Sequence, residues 1–269
     1  MRTFVVLFCL LAASLALPFD AFKARIVEGA SDKPVTRESF NELALKALNT
    51  TELIFGGHLA RPGLLPMQAF LIWTSSKTGF LHQCGGTLIS LNHILTAAHC
   101  AADLIAPSKV MLGAFKLPVV LNRDVKLANL VSNDNSLLKN SPYAIVSGFG
   151  TYKFVNGNQT VTSTELRYTN VNLFSLMECR RLRPDKDVSG NQICAGSKGR
   201  GAGKGDSGGP LQVIRDHTIY ELGVASYATA NPDIIENHQD QTPTVFTRIS
   251  QYCDYIERVT SGDAKCNKI

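Results

Sequence analysis

From Ile54 onward the chain is built of apolar runs too short to be helices, each cut off by Gly, Asn or Pro. Ala69-Phe70-Leu71-Ile72-Trp73 and Tyr143-Ala144-Ile145-Val146 are typical. Such runs are strand-sized, and many of them in series make an antiparallel sandwich or barrel. The C-terminal end differs. Ile249, Cys253, Ile256 and Val259 recur at helical spacing, and Gly262 follows as a stop. The first part differs too. Met1-Arg2-Thr3 and the apolar stretch Phe4 to Ala16 have the form of a secretory leader, with Ser14-Leu15-Ala16 as its cleavage site. A polar segment follows, with Phe40, Leu43, Ala44, Ala47 and Leu48 on one helical face. The expected organisation is a leader at 1–16, a pro-segment at 17–53 and one globular unit at 54–269.

Composition narrows the function classes. Hydrophobic residues make up 45% of the 269, enough for a sizeable core. If the leader is removed, Cys9 goes with it. That leaves Cys84, Cys100, Cys179, Cys194, Cys253 and Cys266, an even set suited to disulfides in an oxidising compartment. The spacing alone does not choose among the pairings. No Cys-x-x-Cys pair and no His-Glu-x-x-His is present, so neither a metal nor another cofactor is expected. The net charge of +5 comes from scattered lysines and arginines, which argues for a solvated surface and against nucleic acid as a partner. No segment after the leader is long and apolar enough to span a membrane. Asn49-Thr50-Thr51 and Asn158-Gln159-Thr160 fit the N-glycosylation pattern.

Two short stretches carry chemistry. A serine hydroxyl is a weak nucleophile that needs a base within hydrogen-bond reach and N–H donors aimed at the developing oxyanion. Gly205-Asp206-Ser207-Gly208-Gly209-Pro210 offers a serine on a glycine-rich turn, where the amides of Gly205 and Ser207 can converge. Leu95-Thr96-Ala97-Ala98-His99-Cys100 offers a base. On pattern alone, a glycine-rich turn is usually only a turn and a single histidine is usually structural.

Together the two stretches resemble the signatures of the S1, chymotrypsin/trypsin-like, serine proteases. Ile54-Phe55-Gly56-Gly57 resembles the start of the mature enzymes. Cys84-Gly85-Gly86-Thr87-Leu88-Ile89 resembles the strand before the histidine, and Gly148-Phe149-Gly150 a Gly-Trp-Gly segment. The resemblance spans Ile54 to about Gly262. It implies an all-β fold of two antiparallel β-barrels with a C-terminal helix. It also implies Ser207 as nucleophile, His99 as general base and then acid, and the Gly205 and Ser207 amides as oxyanion hole. Cleavage before Ile54 would free an α-ammonium group to pair with Asp206. Arg25-Ile26-Val27-Glu28-Gly29 also resembles such a junction, but Ile54 stands at the compact spacing from Cys84 and Ile26 almost twice as far. The resemblance pairs Cys84 with Cys100 and Cys179 with Cys194, which leaves Cys253 and Cys266 for each other. It implies a polypeptide substrate, an activating protease and protein inhibitors as partners, a monomer, and secretion.

One part is missing. The family order is His, Asp, Ser, with the aspartate roughly 45 residues after the histidine and roughly 90 before the serine. Here His99 and Ser207 stand only about 110 residues apart, roughly 30 short of that spacing. Val110-Met111-Leu112-Gly113-Ala114-Phe115 resembles a strand well before the aspartate. Lys116-Leu117-Pro118-Val119-Val120-Leu121 resembles the segment just after it. The two abut, so the first barrel is expected to be incomplete. Asp103 is too close to His99 in sequence to replace the acid, and Asp124 falls on the wrong side of the join.

The expected pocket is neutral. Gly201 stands where the family has the floor of the primary specificity pocket, and it carries no acid. Ser226, Tyr227 and Ala228 resemble the strand that holds substrate backbone. Thr244 stands at a position that is commonly glycine. This points to small or medium apolar side chains, elastase- or chymotrypsin-like rather than trypsin-like. The expectation is therefore a secreted serine endopeptidase zymogen, with a catalytically impaired binding module or decoy as the alternative.

Overall fold

The computed structural model describes residues 5–9, 54–75, 78–102, 109–117, 120–121, 125–141, 143–156 and 159–269. The expected pro-segment with its Ile26 junction, Asn49, Asp103, Asp124 and Asn158 lie outside the described residues.

In chain order the first half holds β1 (Val5–Cys9), β2 (His58–Leu59), β3 (Gln68–Thr74), β4 (Leu81–Ser90), β5 (His93–Ala97), the single-turn helix α1 (Ala98–Ala101), β6 (Lys109–Leu112), β7 (Ala114–Lys116), β8 (Val120–Leu121) and β9 (Asn129–Leu130). Then come α2 (Asn135–Asn140), β10 (Ala144–Gly148), β11 (Thr151–Val155), β12 (Gln159–Thr162), β13 (Arg167–Phe174), α3 (Leu176–Leu182), β14 (Gln192–Gly196), β15 (Pro210–Arg215) and β16 (Thr218–Tyr227). The chain ends with α4 (Pro232–Asn237), β17 (Thr244–Arg248), a 3-10 turn (Ile249–Tyr252) and α5 (Cys253–Val259).

The second barrel is closed. Its strands run β10-β15-β16-β17-β14-β13, and β13 pairs back onto β10 with Ala144 opposite Val171 and Gly148 opposite Arg167. Closure leaves this barrel no free edge, and its interior is filled by Val146, Val171, Leu211, Val213, Leu222 and Phe246, all buried.

The first sheet is open, in the order β1-β5-β4-β3-β6. From β6 the chain passes through Gly113 straight into the β7–β8 hairpin, so among the described residues no following strand returns to the outer edge of β5. An uncovered edge presents a row of unpaired N–H and C=O groups. Here that edge is taken by β1, which runs parallel to β5 with Val5 opposite His93 and Cys9 opposite Ala97. The expected two-barrel fold with an incomplete first barrel is thus the observed one, and a strand from the expected leader fills the vacated edge. Leu71, Trp73, Leu88, Ile94, Leu95 and Val110 form the core of this half.

The two halves meet along a mixed seam. Phe70 of β3 meets Phe149 edge-on, with ring centroids 5.0 Å apart. Ser147 donates to Gln68 Oε1 at 2.7 Å, and Gln83 Nε2 donates to the Phe149 carbonyl at 3.1 Å. Also buried here is Glu221 of β16, whose pKa is pushed up to about 8 by burial, near the buried Thr87 of β4. The C-terminal helix forms as its spacing predicts. Gly262, at φ +85°, ends it by donating to the Glu257 carbonyl at 2.8 Å. A disulfide between Cys253 and Cys266 ties the helix to the tail.

Leu222 is fully buried in the closed barrel, so Leu222→Ala removes a packed side chain where the wall cannot collapse. We expect a loss of about 2–5 kcal/mol of unfolding free energy in chemical denaturation, with the native fold retained.

Candidate active site

The expected nucleophile and base come from different halves and meet at the seam. His99 sits in α1, immediately after β5, and is held from below by the disulfide between Cys84 of β4 and Cys100. Ser207 sits in the turn before β15. Its carbonyl accepts from the Gly85 amide at 2.8 Å, and the next residue docks even more closely. Gly208 has φ +78°, and a Cβ on it would lie 2.1 Å from Thr96 Oγ1 and 2.5 Å from the Gly85 carbonyl. Only glycine permits that conformation and that approach. Thr96 donates to the Gly85 carbonyl at 2.8 Å, so the strands bearing the histidine and the loop bearing the serine share one hydrogen-bonded junction.

The amides of this loop divide into two groups. Those of Asp206, Gly208 and Gly209 donate to Gly203, Ala225 and Asp206 carbonyls. Those of Gly205 and Ser207 have no acceptor among the described residues. These are the two amides that the resemblance assigns to the oxyanion hole, and an oxyanion needs N–H donors that are not already spent.

Asp206 points the other way, into the second half, and is 2% exposed. Its Oδ1 accepts from the Gly150 amide at 2.7 Å and its Oδ2 from the Gly203 amide at 2.9 Å. Gly148 and Gly150 lie against it so closely that a Cβ on either would fall within 2.5 Å of the carboxyl. Burial pushes its pKa up to about 6, and the two amides oppose that shift. Ile54 is buried beside Asp206 in one small crevice with Val146, Ala202 and Phe246. The Phe55 carbonyl accepts from the Gly201 amide at 3.2 Å.

His99 is exposed on one side. Partial burial lowers its pKa from the usual 6.5, and no carboxylate among the described residues counters that. It makes no hydrogen bond with Ser207 in this state. Met111, beside the join in the sequence, pairs with Phe70 inside the first sheet. His99 also clusters with Cys84 and Cys100 within 4.8 Å, but the disulfide consumes both thiolates a metal would need. Cys179 and Cys194 form the remaining bridge, as the resemblance implies.

The expected pocket residues come together on the second barrel. Ser226 and Tyr227 end β16, Ala228 follows, and Thr244 opens β17. The Tyr227 ring is covered by the cations Arg183 at 5.3 Å and Lys186 at 5.4 Å. Arg183 is 1% exposed and donates to the Pro243 carbonyl and to both Asp185 oxygens. Arg183, Gln83 (which packs against Gly205) and Gln239 (beneath Gly201) have no motif in the sequence that marks them.

The trypsin family model matches this chain over residues 54–118 and 111–256. The chain belongs to the trypsin family. The match to trypsin comes in two pieces that overlap at 111–118, where the sequence is short. Chymotrypsin of Phaedon cochleariae is 27% identical over 296 residues, covering 96% of this chain and 97% of the relative. Chymotrypsin-C of Bos taurus is 28% identical over 250 residues, covering 78% of this chain and 90% of the relative. Serine protease snk of Drosophila melanogaster is 28% identical over 258 residues and covers 77% of this chain, which spans only 57% of that relative. An alignment of 250 columns spanning 78% of a 269-residue chain leaves several tens of columns in which the relative has residues and this chain has none.

The state of Asp206 gives a pH signature. Its folded pKa, about 6, lies above its ordinary 3.8, so the neutral form favours the fold. That contribution is complete below pH 3.8 and is lost as pH rises through 6. We expect the uncleaved protein to match Asp206→Asn below about pH 4, to lose stability relative to it between about pH 4 and 6 by on the order of 3 kcal/mol, and to stay lower by that amount above. Denaturant titrations of both proteins across that range check it.

Proposed function

We propose that this chain is the secreted zymogen of a serine endopeptidase, in which Ser207 attacks a peptide carbonyl and His99 shuttles the proton. Turnover is limited because no carboxylate among the described residues acts on His99. The observation that carries this reading is the pair of unspent amides at Gly205 and Ser207, on a loop docked against the histidine-bearing half. Acyl transfer needs free N–H donors beside the nucleophile.

The reaction follows from these groups. Neutral His99, its pKa already lowered, accepts the Ser207 proton as Oγ bonds to the carbonyl carbon. The oxyanion settles on the Gly205 and Ser207 amides. The imidazolium then protonates the leaving amine, and water repeats the sequence on the acyl-enzyme. A carboxylate would fix the histidine tautomer and stabilise the imidazolium. Without one, the histidine must hold its position by α1 and the Cys84–Cys100 bridge alone.

Activation would take place before Ile54. In the intact chain this β-branched residue has φ 42°, a conformation it adopts only under constraint. Cleavage after Leu53 removes that constraint, because a terminal residue has no preceding carbonyl. It also supplies an ammonium group beside buried Asp206, which favours the carboxylate and draws its pKa back down. Residues 1–16 serve as the leader, and 17–53 as the pro-segment that delays this step. The two-piece family match and the gapped alignments support a segment missing at the join near residues 111–118. The neutral pocket around Gly201, Ala228 and Thr244 supports an elastase- or chymotrypsin-like preference. One observation favours the alternative, a decoy that binds polypeptides without cleaving them: the absence of any carboxylate acting on His99 among the described residues.

Timed fluorophosphonate labelling of protein cleaved after Leu53 separates the two. Labelling should be confined to Ser207, abolished by Ser207→Ala, and roughly 10⁴-fold slower than in a family member with a complete triad. Folded protein that takes no label on Ser207 would overturn the enzymatic reading in favour of the decoy.

A further inference from the structure

We infer that Gln239 closes the base of the specificity pocket and restricts the residue on the acyl side of the scissile bond (P1) to small aliphatic side chains. This rests on the reading of Gly201 and Thr244 as pocket residues given above.

Three facts define the plug. First, a Cβ built on Gly201 would lie 2.0 Å from Gln239 Oε1, 2.3 Å from its Cδ and 2.7 Å from its Nε2. The Gln239 amide therefore stands where a side chain on the floor residue would project. Second, the amide is 1% exposed and anchored on three sides. Nε2 donates to the Ala202 carbonyl at 3.0 Å and to the Ile235 carbonyl of α4 at 2.7 Å, and Oε1 accepts from Thr244 Oγ1 at 2.9 Å. Third, these anchors are the floor itself, the opposite wall on β17 and the helix behind.

A buried primary amide has two donors and one acceptor oxygen, and here each makes a bond. Expelling it to admit a long side chain would leave the Ala202 and Ile235 carbonyls and the Thr244 hydroxyl without partners, and buried polar groups in that state are costly. A deep aromatic or cationic P1 group would have to do this. A methyl or short branched group would not reach the amide. Thr244 acts with Gln239: its hydroxyl fixes the rotamer that keeps the amide over Gly201. Gln239 touches no reacting atom, so its effect falls on substrate choice and not on the serine chemistry.

The test pairs a covalent readout with one that needs no catalysis. The covalent readout is the labelling rate of Ser207, in protein cleaved after Leu53, by peptidyl diphenyl phosphonates carrying Ala or Phe at P1. The other is equilibrium binding of indole by ligand-observed NMR. In the wild type we expect the Ala reagent to react at least tenfold faster than the Phe reagent, and no saturable indole binding. In Gln239→Ala the ratio should fall at least tenfold and indole should bind. Gln239→Ser, which keeps a short polar group at the site, should behave alike and stands in if the alanine variant does not fold. Wild-type protein that binds indole or prefers the Phe reagent would overturn the inference, as would folded variants in which both readouts are unchanged. If no phosphonate reacts with any form, the proposed catalysis fails. Indole binding alone then decides Gln239: gained in the variants upholds the plug, and no gain sinks it.

Discussion

The close backbone contact between Gly85 and the 207–209 segment is the constraint on which the rest of the site depends. The Gly85 amide bonds to the Ser207 carbonyl, and a Cβ on Gly85 would lie 2.7 Å from Gly209 Cα. With no side chains between them, the serine loop lies directly on the strand whose disulfide holds the histidine. Each half contributes one of the two proposed reacting groups, and the spacing of their backbones is set by peptide planes. That explains how this corner keeps its shape although the first sheet has an open edge. The junction is built from β4 and β5, which pair with each other, and β4 pairs on its other side with β3.

Charge burial shapes the other side of the same loop. Asp206 and Ser207 are adjacent but face opposite ways, so the nucleophile's backbone is anchored by a carboxyl group out of water. Two amides satisfy that carboxyl only in part, and its raised pKa records the remaining cost of desolvation. A buried acid that prefers to be neutral is a site waiting for a cation. The chain brings Ile54 into the same crevice, where a new terminus would supply one. Under the proposed activation, the loop's order and the state of residue 54 would be linked through this buried group.

The closed and open halves differ in how they treat strand edges. In the second barrel every edge is consumed by the β10–β13 pairing. In the first, the chain passes from β6 through Gly113 into β7, and among the described residues no later strand pairs with β5. In the full-length chain that edge of β5 pairs with Val5–Cys9 in parallel orientation, and removal of the proposed leader would leave it unpaired. Of the expected pocket residues, Ser226 and Tyr227 end β16 and Thr244 opens β17, all in the second barrel.

Much of this was legible in the sequence, because it rests on local chemistry. Short apolar runs between turn formers marked the strands. The spacing of Ile249, Cys253 and Ile256 marked the final helix. The glycines around Ser207 and the cysteine after His99 marked the loop and the disulfide-bonded turn that the structure brings together. What the tertiary structure alone decided is who meets whom across the fold. Gln239 sits in a polar loop far along the chain from Gly201 with nothing to distinguish it. Only β17 and α4, folding back on the barrel, turn its amide over the pocket floor. The same holds for Arg183 against Tyr227 and for β1 against β5. Periodicity and motif spacing report what a residue does to its own neighbourhood, whereas these contacts are set by the path of the backbone between distant segments.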